Sequence, residues 1–306
     1  MRTTKIAALA FATVLGAATL MSGTEAKSDG TPTNGGTAAI YGNNIPPDQI
    51  EFLSTPERII SVTSSGSASA IWEALEHGEA IECLNCISAV EPLIYDNNAE
   101  IREISAWWLR RRTFGVFGPG EVYERTVNAV KGDANPQRRA YAAYALGEFL
   151  TLAGVEPLSN AINSDSSAMV RAAAVSALGR LNDEGAGAVS KALTDGDMGV
   201  KLAAVTAASR INSFNDVPTT AKLMGDSSPQ VRRRGVELLE GLRAKDSVQT
   251  LIALARNDQD ADVRLSACHA LGLLGDSSAR STLEAIVQTD ANGLVRDQAS
   301  IALRRM

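Results

Sequence analysis

The sequence predicts an all-α fold, a right-handed α-solenoid of about seven stacked helix pairs with an N-terminal cap. A frame that opens on Asp recurs after 37, 32, 30, 31, 32 and 32 residues, and such a period indicates a solenoid or an array. Every copy also carries a helix-start signal followed by an apolar stripe. The chain is 45% apolar but only 5% aromatic, which suits closely packed helices better than one bulky core. The opening residues are Asp96, Asp133, Asp165, Asp195, Asp226, Asp258 and Asp290.

Each frame predicts the second helix of a pair. Two residues after the Asp stands an N-cap residue type, whose side chain can accept a hydrogen bond from a free amide of the first turn. Six residues after the Asp stands a cation, followed by a small residue three positions later and, in most copies, a leucine seven positions later. These offsets fall on one face of a helix, so we expect that face to be buried. The cations are Arg102, Arg139, Arg171, Lys201, Arg232, Arg264 and Arg296.

An apolar-periodic segment precedes each frame and predicts the first helix of the pair, for example at residues 154–162 and 246–255. One pair cannot bury its apolar face alone, so the pairs must stack. The Asp-to-Arg spacing and the cores at 170–179 and 262–272 resemble the HEAT repeat family, and more narrowly the short HEAT-like repeats of the phycobilin-lyase type.

This resemblance covers roughly residues 78–306. It implies a repeat solenoid over residues 81–306, in which the Asp and Arg side chains form a ladder between neighbouring units. It does not imply one particular function, because HEAT arrays serve many partners.

Residues 1–26 are predicted to be a secretory signal peptide that is cleaved after its last residue. Arg2 and Lys5 precede an apolar stretch at 6–21, and the segment ends in small residues, as such peptides do. We therefore expect an exported protein, secreted or periplasmic.

Residues 27–47 are rich in Gly, Asn, Thr and Ser and predict a flexible linker. Residues 48–80 predict a degenerate first helix pair that caps the solenoid, since terminal repeats are atypical. The net charge of −6 argues against nucleic acid as a partner, because nucleic-acid binding needs a basic surface. No apolar stretch after the signal segment is long enough to cross a bilayer, so we do not expect a membrane-embedded protein.

Cys83 and Cys86 form a CxxC pair that leaves several interpretations open. A c-type haem needs His directly after the second Cys, and Ile87 stands there. A zinc site lacks an evident fourth ligand, and a thioredoxin-like centre normally accompanies a βαβ pattern. Export favours a structural disulfide, with free core thiols or redox and metal chemistry as alternatives. Cys268 lies in a column of small residues and predicts a packed free thiol.

The sequence predicts no catalytic residues, no metal site and no cofactor. No spacing supports a Ser/His/Asp arrangement or a Gly-rich phosphate loop. Metal-dependent hydroxylases built from similar repeats use His–Glu pairs, whereas His77 precedes Gly78 and His269 precedes Ala270. We expect His269 to be a surface residue.

The candidate binding surface lies in the N-terminal third of the array. Positions one, five and eight after the cation are predicted to face away from the core. Trp107 and Tyr144 hold the fifth position in the first two units, and the longest period falls at residues 110–120, where an insertion predicts a loop. Trp, Tyr and Arg dominate binding hot spots. The candidate residues are Glu103, Trp107, Arg110, Arg111, Phe114, Phe117 and Tyr144.

An alternative places Trp107 and the two Phe side chains beneath the inserted loop or the cap. Trp108 differs from Trp107 because it occupies a column of alanines, so we expect it to be buried.

These features together predict an exported, non-catalytic scaffold that binds a protein or peptide through its concave or N-terminal surface. An acidic partner would suit the guanidinium cluster, since Arg can bind carboxylates bidentately. The alternatives are a thiol-redox or metal-binding protein centred on the CxxC pair and, by the resemblance, a lyase-like handler of a chromophore or cofactor.

Overall fold

The computed structural model describes residues 55–112 and 120–306, all within one unit that spans Gly36–Met306. The predicted signal peptide and linker, residues 48–54 of the predicted cap, and the inserted segment 113–119 with Phe114 and Phe117 lie outside the described residues. Among the described residues, no helix is both long enough and apolar enough to cross a membrane.

Sixteen α-helices and several short 3-10 segments build the described part of the chain, which contains no strand. The helices are α1 Pro56–Ser65, α2 Ala68–His77, α3 Leu84–Val90, α4 Ala99–Arg110, α5 Glu121–Gly132, α6 Pro136–Glu148, α7 Val155–Ser164, α8 Ala168–Leu178, α9 Ala186–Ala192, α10 Met198–Ala208, α11 Val217–Lys222, α12 Pro229–Gly241, α13 Val248–Asn257, α14 Ala261–Leu274, α15 Arg280–Thr289 and α16 Gly293–Arg305. Helices α3 to α16 form seven stacked pairs, and α1 and α2 form a further pair before them. The predicted all-α solenoid is confirmed.

Each frame Asp closes the turn between the two helices of its unit. Its carboxylate accepts a hydrogen bond from the backbone N–H two residues later, as Asp165 does from Ser167 at 2.8 Å. The residue that donates this N–H is the N-cap of the second helix. In six of the seven units its side chain accepts a hydrogen bond from a backbone amide of the first turn. Ser167 is the exception. The turn and the helix start are therefore fixed by side chains that the frame supplies.

The second helices of the pairs, α4, α6, α8, α10, α12, α14 and α16, form what we call the inner layer. They pack against one another more extensively than the first helices do. Glycine permits the closest of these contacts. A Cβ atom on Gly147 would lie 2.7 Å from the Cα of Ala177, and one on Gly272 would lie 2.7 Å from the Cα of Ala302, which are distances too short for any side chain.

These glycines stand eight residues after the cation, a position that the sequence analysis placed on the outward face. Gly147, Gly179 and Gly272 are instead buried, because each inner helix contacts the next one along the array as well as its own partner. The prediction for this position is wrong in these three units. Where Arg110 or Ser209 takes the place of glycine, the junction with the next inner helix is packed less extensively.

Five junctions between neighbouring units carry the predicted Arg–Asp ladder. Arg139 Nε lies 2.7 Å from Asp165 Oδ2, and its Nη2 lies 3.0 Å from Asp165 Oδ1. The same guanidinium donates from Nη1 to the carbonyl of Asp133, at 2.9 Å, in the turn of its own unit. The ladder interpretation is confirmed at these junctions. The other four pairs are Arg171–Asp195, Lys201–Asp226, Arg232–Asp258 and Arg264–Asp290.

The first junction, between α4 and α6, is built differently. Arg102 lies over the ring of Tyr141, with Cζ 3.9 Å from the ring centroid. Asp133 accepts a hydrogen bond from Arg138 of its own unit at 2.9 Å, and Arg138 lies 3.9 Å over the ring of Tyr95. Two contacts between a cation and an aromatic ring thus stand where the later junctions have an ion pair.

Trp108 and Arg112 fasten the α1–α2 pair to the first unit. The Trp108 side chain is fully buried, as predicted, and its Nε1 donates to the carbonyl of Gly78 at 2.9 Å. The buried Arg112 guanidinium stacks on the Trp108 ring at 3.4 Å and donates to the carbonyls of Glu79 and Ile81 at 2.8 and 2.7 Å. Burial lowers the pKa of Arg112 to about 10, so it remains a cation at neutral pH.

Gly179→Ala tests the close approach of the inner helices. Its new methyl group would meet the Cα of Ala207 at 2.8 Å, so we expect the free energy of unfolding in urea to fall by about 1–3 kcal/mol. Gly187→Ala is the matched control, because nothing lies within 4 Å of its Cβ position. It should leave stability unchanged or raise it by up to about 1 kcal/mol. Equal stability of the two variants would contradict this packing.

Asp258→Asn tests the ladder through its pH dependence. Burial opposes ionisation of Asp258, but hydrogen bonds from Arg232 and from the backbone of Asp260 hold its pKa below the usual value. A carboxyl with a lowered folded pKa stabilises the fold above its unfolded pKa, and this contribution is lost as pH falls below about 4. We expect Asp258→Asn to cost about 1–3 kcal/mol at pH 7 and to lose less additional stability on acidification than the unmodified chain.

The measurement is urea unfolding at pH 7 and pH 3. The control is Asp297→Asn, whose exposed carboxyl forms no ion pair in the described part of the chain. If Asp258→Asn matched this control at both pH values, the ladder would contribute nothing to stability.

Candidate partner-binding surface

Trp107 lies on α4 in the inner layer. Its side chain is partly exposed and packs with its buried part against the core. Glu103, one helical turn earlier on the same face, is exposed, and Arg110 is partly exposed. Trp107 is therefore neither fully exposed nor fully buried, because one portion of its ring packs in the core and another is accessible to solvent.

Tyr144 holds the same position on α6, the next inner helix, and is also partly exposed. Its ring lies 5.9 Å from the Cζ of Arg180, in the turn that follows α8. Arg180 Nη2 lies 2.5 Å from Oε1 of the buried Glu148 on α6. Tyr144 thus lies beside an ion pair that joins α6 to the turn after α8.

Burial and neighbouring charges perturb the titration of this group. Burial raises the pKa of Tyr144 above its usual value, and the carboxylates of Glu148 and Glu103 raise it further. Burial also raises the pKa of Glu148, although Arg180 and Tyr144 act in the opposite direction. The carboxylate of Glu103, on α4, also raises the pKa of both groups.

The three consecutive arginines at the end of α4, Arg110 to Arg112, do not form one basic surface. Arg111 pairs with Glu79 at 3.0 Å. Arg112 is buried against Trp108 and backbone carbonyls. Only Arg110 and Arg111 reach the surface, and both have interactions within the chain.

Glu103 differs from these cations. Among the described residues, no hydrogen bond or ion pair is formed by its exposed carboxylate. The surface around Trp107 and Tyr144 thus combines two partly exposed rings, cations that already have partners, and one carboxylate that does not.

The structure joins Cys83 and Cys86 in a disulfide, with Cα atoms 5.2 Å apart. Cys83 is the N-cap of α3, and Cys86 is buried. Cys268 is a free, buried thiol, and burial raises its pKa to about 12. His269 is partly exposed, and its Nδ1 lies 2.9 Å from Glu240 Oε2. No group of three potential metal ligands occurs within residues 55–112 and 120–306.

Sequence reasoning missed Glu148 and Arg180, whose ion pair lies beside the Tyr144 ring. Both stand nine residues after the cation of their unit, a position that the helical projection did not assign to the exposed face. Charged residues of opposite sign at this position in neighbouring units were the available signal. Arg112 was also missed, because its buried role depends on the cap lying against α4.

The comparisons with known proteins bear on the array as a whole. A family model described as HEAT repeats matches residues 123–189 and 217–304, together slightly more than half of the chain. No curated protein sequence gives a significant match.

Solved structures show the same architecture at low sequence identity. The E. coli protein YibA has a TM-score of 0.54 and 16% identity, over 85% of this chain and 96% of YibA. Yeast importin-β (Kap95p) has a TM-score of 0.63 and 14% identity over 84% of this chain, which spans 43% of the importin. The CpcE–CpcF complex of phycocyanin lyase from Nostoc, at 17% identity over 72% of this chain and 94% of that one, has a TM-score of 0.39, which is too low to support an argument.

Proposed function

The chain belongs to the HEAT repeat family, and from this premise we propose that it is a non-catalytic scaffold that binds a protein or peptide through the inner layer of its N-terminal third. The observation that carries the proposal is the pair of partly exposed rings, Trp107 and Tyr144, on adjacent inner helices. The next two inner helices have Ser176 and Thr206 at the same position. Aromatic side chains of this kind supply most of the affinity in many protein interfaces.

The preorganisation of this surface supports the same function. Part of the Trp107 ring packs against the core, and Tyr144 lies beside the ion pair of Arg180 and Glu148. A ring that is already fixed loses little conformational entropy on binding. Kap95p, whose fold is similar, binds RanGDP, so a solenoid of this type can present a surface to a folded protein.

We extend the proposal to the compartment in which the chain acts. The signal-like segment at residues 1–26 and the disulfide between Cys83 and Cys86 both suit an exported protein, because disulfides persist in oxidising environments. The partner is then another exported or cell-surface protein.

Trp107→Ala tests the proposed surface. We expect it to weaken capture of the partner from the exported fraction of the source cells at least roughly tenfold, as the loss of an interface anchor does. Tyr123→Ala is the matched control, since Tyr123 is a partly exposed ring on α5, outside the inner layer. It should bind as the unmodified chain does. Circular dichroism should show equal helix content for all three proteins.

A second variant distinguishes loss of binding from a structural effect of the Trp107 substitution. Tyr144→Ser introduces the residue type that α8 carries at this position, and it should also weaken capture. If folded Trp107→Ala and Tyr144→Ser both captured the partner as well as the unmodified chain does, the binding surface would lie elsewhere.

A further inference from the structure

We propose that the partner side chain that docks at this surface is cationic, a Lys or Arg held between Trp107 and Tyr144 with Glu103 as its counter-ion. This inference rests on the proposed function and adds the charge class of the partner. It reverses the expectation of an acidic partner that the arginine-rich sequence suggested.

The first support is the position of Glu103. It lies four residues before Trp107 on α4, so the two side chains are neighbours on one helical face. Its carboxylate is exposed and unpaired within the described residues, yet it acts electrostatically on Tyr144 of the next inner helix. It is therefore available to a ligand that reaches both rings.

The second support is that the nearby cations are already used. Arg111 binds Glu79, and Arg180 binds Glu148. Arg112 is buried under the cap, and Arg110 is not free either. A carboxylate of the bound protein would have to displace a group that already interacts with one of these arginines. A cation could pair with Glu103 directly.

The third support is that aromatic rings of this chain already bind cations elsewhere at the first junction. Two arginines of the first junction, Arg102 and Arg138, each lie 3.9 Å over a tyrosine ring. Contacts of this kind are favourable, and more so when water is excluded. Trp107 and Tyr144 hold the same position on adjacent inner helices, so a cation bound between α4 and α6 would lie near both rings. The net charge of −6 also attracts a cationic segment over longer distances.

The test uses random nonapeptides displayed on phage and selected against the immobilised full chain. The selected peptides should contain Lys or Arg, and replacing those residues with Gln should reduce affinity. Glu103→Gln should weaken binding of the selected peptides by about fivefold, as expected for a partly exposed ion pair. Glu103→Lys should weaken it by more than about tenfold through like-charge repulsion.

The matched control is Glu124→Gln, an exposed carboxylate on α5 outside the inner layer, and it should bind as the unmodified chain does. The effect of Glu103→Gln should shrink as NaCl is raised, because salt screens exposed charge pairs.

The outcomes separate the two proposals. Acidic or uncharged peptides that need Trp107 but are unaffected by Glu103→Gln would overturn the charge inference and leave the binding surface standing. Peptides that bind Trp107→Ala as tightly as the unmodified chain, or a selection that yields no peptide dependent on Trp107, would overturn both.

Discussion

An ion pair between a cation of one unit and the carboxylate of the next joins neighbouring units at five junctions of this solenoid. Each ladder arginine donates to a carbonyl in its own turn and to the Asp of the following turn, as Arg139 does to Asp133 and Asp165. That Asp also accepts the backbone N–H that begins the next inner helix. One side chain therefore fixes both the turn of its own unit and the register of the next unit. With the register fixed, glycine can face alanine at backbone contact distance in the inner layer.

The first junction lacks this bond. Arg102 and Arg138 lie over tyrosine rings there, and Arg110 stands where three later units have glycine. Helices α4 and α6 are packed less extensively than α6 and α8. The cap is secured separately, by Arg112. The proposed binding surface lies at this junction, where the repeat departs from its own pattern.

Much of this could be predicted from sequence, because equivalent residues recur in every unit. The seven helix pairs and the burial of Trp108 follow from columns of equivalent residues, and the ladder follows from the resemblance to HEAT-like repeats. The eighth position after the cation could not be assigned correctly, because a helical projection treats each helix as facing a single core. Gly147, for example, is buried by the next unit. The burial of Arg112 could not be predicted either, because its carbonyl partners come from the cap, which contacts α4 only in the folded chain.

A double-mutant cycle measures most directly whether the ladder joins the units. Arg171→Gln and Asp195→Asn, alone and combined, should give a coupling energy of about 1–3 kcal/mol in the free energy of unfolding, as contacting groups do. Arg102 and Asp133 occupy the equivalent positions at the first junction but are not paired with each other. The same cycle on these two residues should give a coupling within about 0.5 kcal/mol of zero. Negligible coupling between Arg171 and Asp195, or equal coupling in both cycles, would contradict the claim that the ladder joins the units and is interrupted at the first junction.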